Sequence, residues 1–207
     1  MVAAAVTVAD QKTHVLMIEN VAEGLKRSGK PFLWVLKDKE SGGELPSGFL
    51  EDVEGRGLVV SWCAQEQVLK HEAVGCFLTH CGWNSTLETI VAGVPVIAFP
   101  EWTDQPTIAK FLTDVFKVGV RTRKGDDGVV SSEEVERCIR EITDGPAAEA
   151  IAKRAVELKE AAKRAVEDGG SSHRNLDMFI ADITGKEIEG LTSKKDHAIA
   201  KMVAVSE

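Results

Sequence analysis

Short apolar runs alternate with helical patterns through the middle of the chain. The runs are Leu58–Trp62, Val74–Thr79 and Val94–Pro100, and each is followed by polar or aromatic residues. Such alternation predicts parallel βαβ units in an α/β fold. Ligands bind in the crevice beyond the carboxyl ends of parallel strands. The residues that follow these three runs therefore predict a binding site at one edge of the sheet.

Further elements are predicted on both sides of this region. The β-prone run Thr13–Ile18 is interpreted as a strand that fills a position in the sheet, since a missing strand would expose an edge. A helix over Glu19–Gly29 and a strand over Pro31–Leu36 follow, and Lys37–Gly57 is predicted to be an irregular exposed loop. Beyond the middle region the pattern predicts a helix over Pro106–Phe116, a strand over Gly119–Arg123, a helix from Ser132, a core-packed helix over Ala147–Asp168 and a helix over His173–Ile183.

The turn after the second run carries candidate chemistry for an anion. Gly82 is expected to allow a tight turn, and Ser85–Glu88 matches the S-x-x-E capping box that opens a helix. A helix start stabilises a phosphate, and His80 could add a donor or a cation. An ordinary capped helix is the alternative interpretation. The combination with Trp62 and Asp104–Gln105 favours a site for a diphosphate.

The stretch Trp62–Gln105 resembles the signature box of plant secondary-product UDP-dependent glycosyltransferases. It spans 44 residues (105 − 62 + 1), begins with Trp, contains HCGWNSTLE and ends in DQ. Similarity extends to GLKRSGKPFLWVL before the box and to KVGVRT and GGSSHRNLDMFI after it, over roughly Glu19–Thr184. The resemblance implies a Rossmann-like parallel sheet with helices on both faces, like the C-terminal half of a GT-B glycosyltransferase.

The resemblance also implies a role for individual residues. An indole suits stacking on a base, and amide and carboxylate groups suit ribose hydroxyls. The final Gln of the box is typical of UDP-glucose in this family, whereas His is typical of UDP-galactose. The implied UDP-binding residues are Trp62, Cys63 (through its backbone), Gln65, His80, Asn84, Ser85 and Glu88, and the implied sugar-binding residues are Trp83, Asp104 and Gln105.

The implied activity is transfer of glucose, with inversion, to a small lipophilic acceptor such as a flavonoid, a phenolic acid or a hormone. UDP-glucose would be the donor substrate, and neither a cofactor nor a metal ion is implied. The family's catalytic base is a histidine that follows the first strand of the acceptor-binding domain. His14 lies at the beginning of the predicted strand and does not follow it, so we assign it no such role and predict no catalytic residue. A nucleotide-sugar-binding module and an inactive fragment are therefore the alternative functions.

The start of the chain departs from the family's pattern. A glycine-serine loop of the form FGS precedes the first helix of the donor-binding domain in the family, and no such loop is present here. We hypothesise that the chain joins the first strand of the acceptor domain to the first helix of the donor domain. The predicted organisation is a residual strand segment over 1–18, a UDP-sugar-binding domain over 19–184 and a tail over 185–207.

Composition and charge limit the classes of binding partner. Of 207 residues, 43% are hydrophobic and 28% charged, as in an ordinary soluble protein, and the net charge of −8 argues against nucleic-acid binding. No apolar run is long enough for a membrane span, and the opening residues do not match a signal peptide. We therefore expect a cytoplasmic protein.

The four cysteines, Cys63, Cys76, Cys81 and Cys138, form no C-x-x-C pair, which predicts free thiols. Their spacing relative to His71 and His80 matches no zinc site, and strand pleating would scatter such ligands over two faces. A dinucleotide-dependent dehydrogenase is disfavoured, because no GxGxxG follows a strand.

Overall fold

A computed structural model describes residues 3–7, 15–36 and 45–185 of the chain, and residues 3–7 by their backbone alone. The chain divides into two compact units, Met1–Glu160 and Ala161–Glu207. The predictions for His14, for most of the tail and for the first part of the loop 37–57 lie outside the described residues.

The first unit is built on a six-stranded parallel sheet with the order β3-β2-β1-β4-β5-β6. From β1 at the centre, β2 and β3 are added toward one edge of the sheet, and β4, β5 and β6 toward the other, while all strands point the same way. The order reverses between β1 and β4, and this reversal is where open α/β sheets bind their ligands. The strands are β1 (Ala3–Thr7), β2 (Phe32–Val35), β3 (Gly57–Val60), β4 (Val74–Thr79), β5 (Val96–Ala98) and β6 (Gly119–Arg121).

Helices connect successive strands along the chain, and three further helices follow the last described strand. Each crossover returns the chain to the same end of the sheet, as parallel pairing requires. The helices are α1 (Val15–Ser28), α2 (Phe49–Asp52), α3 (Gln65–Leu69), α4 (Trp83–Ala92), α5 (Gln105–Lys110), α6 (Ser132–Asp144), α7 (Ala148–Val166) and α8 (Ser171–Thr184). A π-helical turn, Phe111–Val115, extends α5.

Alternate strand residues face two different hydrophobic clusters, so both faces of the sheet are covered. Cys76 and Leu78 of β4 belong to the cluster that includes residues of α1 and α6. Phe77, between them, packs against α3, and Val96 of β5 packs against α5. This alternation follows from the two-residue period of a strand. The α/β fold with helices on both faces, predicted from the sequence, is confirmed.

The predicted strand over Thr13–Ile18 is wrong for the residues that the structure describes. Val15–Ile18 is the first turn of α1, and the sheet position between β2 and β4 is filled by Ala3–Thr7 instead. Met17, Ile18, Val21, Ala22 and Leu25 are buried at helical spacing. The apolar run is therefore the start of an amphipathic helix, and the β propensity of four residues does not override that period.

The loop between β2 and β3 is less irregular than predicted. Phe49 in α2 is buried, and its ring lies 6.0 Å from the rings of both Phe32 and Trp34. These aromatic contacts fix the short helix against the sheet. Between α5 and β6, the predicted helix changes to the π-helical turn, where the Phe116 N–H donates to the Phe111 carbonyl at 2.8 Å.

Helix α7 packs through only part of its apolar stripe. Ala155 is buried, and Ile151 and Leu158 pack against the clusters of the first unit, whereas Val166 is exposed. In the second unit, α8 buries none of its residues. Its exposed apolar side chains, spaced at helical intervals, are Leu176, Phe179, Ile180 and Ile183.

Candidate functional site

Three strand-to-helix connections bring the predicted site residues to the carboxyl edge of the sheet. Trp62 and Cys63 follow β3, His80 follows β4, and Asp104 follows β5. Because all strands are parallel, these connections lie at the same edge. Helix α4 contacts α3 on one side and α5 on the other, so the three connections are linked through the helices that they start.

The turn between β4 and α4 differs from the one we predicted. Cys81 adopts the left-handed conformation (φ 67°), while Gly82 is extended (φ −64°, ψ 146°). Cys81 is fully buried, its N–H donates to the Thr79 hydroxyl at 3.3 Å, and its thiol donates to the Thr79 carbonyl at 3.5 Å. These bonds help to hold a conformation that is uncommon for a residue other than glycine.

Gly82 is required for a different reason. A Cβ atom at this position would overlap Nε2 of the His80 imidazole. The absence of a side chain thus lets the His80 ring lie across the turn at the start of α4. The structure therefore supports the pairing of an imidazole with a helix start, but through steric space and not through the backbone angle of the glycine.

The predicted capping box at Ser85–Glu88 is wrong. Helix α4 begins at Trp83, its N-cap is Gly82, and no side chain caps it. Ser85 and Glu88 lie inside the helix. The N–H groups of its first turn are consequently left without a side-chain acceptor, which favours an anion at this position.

Gln65 joins the start of α3 to α4. Its Nε2 lies 2.6 Å from Oε2 of Glu88 and 3.2 Å from the Ser85 hydroxyl, to both of which it can donate. A bond to a carboxylate is one of the stronger hydrogen bonds in proteins. The two predicted ribose ligands, Gln65 and Glu88, are therefore in direct contact, and Ser85 of the predicted diphosphate set adjoins them.

The edge also carries exposed aromatic surface. Trp62 is 72% exposed, Trp83 58% and Trp102 69%. Exposed indoles along one edge of the sheet are typical of a binding surface. We predicted roles for Trp62 and Trp83 but none for Trp102, although its place between β5 and the DQ pair could have drawn attention to it.

Cys63 lies between Trp62 and α3 and is half-buried. Burial, and then the negative charge of Glu88, raises the pKa of its thiol above the usual value. Its thiol therefore stays protonated at neutral pH. The electrostatic link to Glu88 places Cys63 in the same part of the edge as the Gln65 contacts.

Asp104 and Gln105 begin helix α5 but differ in exposure. Asp104 is exposed, and its carboxylate lies 2.9 Å from the Thr103 hydroxyl. Gln105 is only 7% exposed, and its Oε1 accepts from the backbone N–H groups of Glu101 at 2.8 Å and Trp102 at 3.2 Å. The oxygen of the Gln105 amide, a group that we predicted to bind sugar, is therefore directed into its own loop.

A concavity of about 720 Å³ lies farther along the same edge, between α1 and the segment that follows β6. None of the site residues predicted from the sequence lines it. Its walls carry basic, acidic and uncharged polar side chains together, so they favour no one class of ligand. The lining residues include Asn20, Arg123, Lys124, Asp126, Asp127 and Ser131.

Among the described residues, no three His, Cys, Asp or Glu side chains come together in a way that could hold a metal ion. Over the same part of the chain, no helix is long and apolar enough to cross a membrane.

Comparison with known proteins identifies the family. A family model described as UDP-glucoronosyl and UDP-glucosyl transferase matches residues 7–161, well over half of the chain. The chain belongs to the UDP-glycosyltransferase family. This family assignment confirms the resemblance that the signature box carries.

Several members of the UDP-glycosyltransferase family share close to half of their aligned residues with this chain. UDP-glycosyltransferase 84B1 of Arabidopsis thaliana is 55% identical over 170 residues, which cover 81% of this chain and 37% of that protein. The limonoid UDP-glucosyltransferase of Citrus unshiu is 46% identical over 192 residues, covering 89% of this chain and 38% of that protein. The chain thus spans somewhat over a third of the length of these relatives.

Solved structures of UDP-glycosyltransferases share the fold. Os79 from O. sativa, in complex with UDP and deoxynivalenol-3-glucoside, matches with a TM-score of 0.83 and 44% identity over 87% of this chain and 42% of Os79. UGT2 of Phytolacca americana, complexed with UDP-2fluoro-glucose and pterostilbene, matches with a TM-score of 0.81 and 36% identity over 87% of this chain and 41% of UGT2. The fold is that of the matching part of GT-B UDP-glycosyltransferases.

Proposed function

We propose that this chain binds UDP-glucose and forms the donor-binding part of a glucosyltransferase. The acceptor would be a small lipophilic molecule, such as a flavonoid, a phenolic acid or a hormone, and the reaction would invert the anomeric centre. The observation that carries the proposal is the contact of Gln65 with Ser85 and Glu88. It joins the connection that bears Trp62 to the helix that starts beside His80, and so creates one continuous polar surface.

Each part of UDP-glucose has a chemically matched group on this surface. The exposed face of Trp62 suits uracil, and the backbone of Cys63 offers hydrogen bonds to the edge of the base. The amide of Gln65 and the carboxylate of Glu88 suit the ribose hydroxyls. Glucose would then lie near the residues implied for the sugar, Trp83, Asp104 and Gln105.

The diphosphate would be stabilised locally, because the whole chain carries a net charge of −8. The uncapped start of α4 supplies N–H donors and the positive end of a helix dipole. His80, Asn84 and Ser85 add side chains at the same place. In this proposal the protein itself meets the phosphate charge, and no metal ion or other cofactor takes part.

The transfer step requires a base for the acceptor hydroxyl, and we assign that role to none of the described residues. His80 is committed to the diphosphate position in this proposal. His71 lies beyond α3, where its Nδ1 accepts from the Ala73 N–H at 3.1 Å. A nucleotide-sugar-binding module, or an inactive fragment without transferase activity, is therefore the alternative function. We also retain the prediction of a cytoplasmic location.

Two measurements test the proposal. Isothermal titration with UDP, UDP-glucose and UDP-galactose should give saturable binding, with preference for the glucose donor. Incubation of the chain with radiolabelled UDP-glucose and a panel of flavonols then separates transferase activity from binding alone. Saturable UDP binding without labelled product would favour the binding module. Absence of UDP binding by the folded chain would contradict the proposal.

A further inference from the structure

The connection between α7 and α8 is closed by two side chains of α8. It spans residues 167–170 and lies, with α8, in the second unit. Gly169 adopts a left-handed φ of 69°, and its N–H donates to Nδ1 of His173 at 3.3 Å. Its carbonyl accepts from the Arg174 guanidinium. Both polar backbone groups of this exposed glycine are therefore bonded to the first turn of α8.

Gly170 fixes the path of the same connection. A Cβ atom at this position would overlap the carbonyl oxygens of Arg164 and Ala165 at the end of α7. The Gly170 N–H also donates to the Glu167 carbonyl at 2.7 Å. The backbone thus passes close to α7 and turns directly into α8, which brings His173 beside the connection.

The Nδ1 atom of His173 faces two carboxylates as well as the Gly169 N–H. It lies 3.4 Å from Oδ2 of Asp177 and 3.6 Å from Oδ1 of Asp168. A neutral imidazole accepts at one nitrogen and donates from the other, so the bond from Gly169 requires the proton to be on Nε2. A protonated imidazole donates from both nitrogens and accepts at neither. The bond from Gly169 and a bond to either carboxylate therefore exclude each other at one atom.

Charges of both signs lie around the imidazole. The charged residues of the connection and of the adjoining turns are Lys163, Arg164, Glu167, Asp168, Arg174 and Asp177. The carboxylates of Asp168 and Asp177 favour the protonated ring, whereas the positive end of the α8 dipole and the neighbouring basic side chains oppose it. Asp168 is fully exposed, so salt screens its charge, while Asp177 lies one turn along α8 and is 44% exposed. Because histidine changes charge between about pH 5 and 8, we expect the partner of Nδ1 to change in this range.

We propose that His173 is a pH-sensitive switch in the connection between α7 and α8. The neutral ring accepts from Gly169 and keeps the connection closed. The protonated ring donates to Asp177 or Asp168 instead and releases the Gly169 N–H to solvent. The first turn of α8 then keeps only the Arg174 bond to this glycine. The switch does not depend on the proposed binding of UDP-glucose.

NMR of the ¹⁵N-labelled full chain observes both groups of this bond. A long-range ¹H–¹⁵N spectrum reports the protonation of the imidazole, and we expect a proton on Nε2 alone at about pH 8. As the pH falls to about 5, the Gly169 amide signal should move with the same midpoint as the ring. The N–H groups of Gly93 and Gly145 donate to the carbonyls of Thr89 and Glu141, which do not titrate, and serve as controls. A neutral ring with its proton on Nδ1, or a Gly169 signal that does not follow the ring, would overturn the proposal.

Substitutions at position 173 separate the acceptor from the charge. His173→Asn offers an acceptor oxygen near the place of Nδ1 but takes up no proton, so its Gly169 signal should be independent of pH. His173→Leu offers no acceptor, so the Gly169 amide should exchange about tenfold faster at any pH, as for one lost hydrogen bond. A pH-dependent Gly169 signal in His173→Asn would assign the response to another group. Unchanged protection in His173→Leu would remove the imidazole as the acceptor, and either result contradicts the proposal.

The double variant Asp168→Asn/Asp177→Asn tests the alternative partners of the ring. Without the two negative charges the protonated ring is less favourable, so the midpoints of the ring and of the Gly169 amide should move together to lower pH. The bond from Gly169 should persist at about pH 8, because the neutral ring does not need the carboxylates. Midpoints that stay where they are in the unchanged chain would show that the ring does not exchange Gly169 for these carboxylates, and would contradict the switch.

Discussion

Gln65 and Gln105 lie on the two sides of α4 in the candidate site, and each bonds through the opposite end of its amide. Gln65 donates from its nitrogen to two side chains, Ser85 and Glu88. Gln105 accepts through its oxygen from two backbone N–H groups. The first residue therefore joins two side chains of α4, while the second closes the loop that carries Trp102 and Asp104.

Because the two glutamines bond through different atoms, residue type alone does not define a role at this edge. In the proposed function, the Gln65 nitrogen, which holds the Glu88 carboxylate, exchanges that partner for a ribose hydroxyl when UDP binds. The Gln105 oxygen already accepts from two backbone N–H groups, so it can accept from a ligand only if the loop opens. The same chemical change, amide to carboxylate, should therefore weaken UDP binding at position 65 and have little effect on it at position 105.

The largest effect is expected for Gln65→Glu. This change removes the donor to Glu88 and sets two carboxylates side by side, so repulsion adds to the lost hydrogen bond. We expect the binding free energy of UDP to become less favourable by about 3 kcal/mol, the upper end for a hydrogen bond to a charged group. Titration calorimetry measures the loss, and Gln105→Glu, which keeps its acceptor, is the matched comparison. Equal UDP affinities for the two variants would remove the distinction between the glutamines.

Trp62→Ala tests the nucleoside side without changing any charge. Loss of base stacking should weaken the binding of UDP by about 1–3 kcal/mol. The effect should be equal for UDP and UDP-glucose, because Trp62 lies on the far side of α4 from the sugar loop. Leu58→Ala removes another exposed apolar side chain, from strand β3 before the connection, and serves as the control. An unchanged dissociation constant for Trp62→Ala would exclude the indole from the site.

Glu88→Ala should have a smaller and more selective effect. The carboxylate is half-buried, and loss of its bond to ribose should cost about 1.5 kcal/mol, the lower end for a charged acceptor. Inorganic pyrophosphate has no ribose, so its affinity should change much less than that of UDP. Competition titrations of both ligands measure the difference. Equal losses for the two ligands would contradict the ribose assignment.

The sequence predicted the α/β sheet because alternation of apolar runs and helical patterns is a strong, regular signal. Strand β4 has the predicted bounds, Val74–Thr79, since its apolar run is long and ends abruptly at polar residues. The order of the box also brings Trp62, His80 and Asp104 to the ends of parallel strands, which meet at one edge. Topology therefore follows from alternation and places the residues without knowledge of their contacts.

Local detail could not be predicted, because short patterns have more than one physical solution. The S-x-x-E pattern fits a capping box only if the helix starts at Ser85, and it starts at Trp83. A run such as Val15–Ile18 fits a strand or one turn of a helix until the buried positions that follow it are considered. The direction of the Gln105 amide depends on the bend at Thr103, which leaves no mark on the spacing of residues.

The smallest effect concerns Cys63, which reports on the charge of its neighbour. Because the negative charge of Glu88 contributes to the raised pKa of the Cys63 thiol, Glu88→Gln should lower that pKa and increase the thiolate fraction at pH 8. Alkylation by iodoacetamide should then be faster, by less than the factor of about ten that a full pKa unit would give. Burial raises the pKa of Cys76, Cys81 and Cys138 to about 12, so these thiols supply an unreactive background.

Alkylation of Cys63 also tests whether the two sides of α4 act independently. UDP should protect Cys63 in the unchanged chain, since the base would cover the connection between Trp62 and α3. Gln105→Glu should leave the alkylation rate unchanged, because Gln105 acts on the other side of α4. Mass spectrometry of the alkylated peptides gives each rate separately. A slower reaction in Glu88→Gln would contradict the effect of the Glu88 charge on the Cys63 thiol. A changed rate in Gln105→Glu would mean that the two sides are coupled and that the division between the glutamines does not hold.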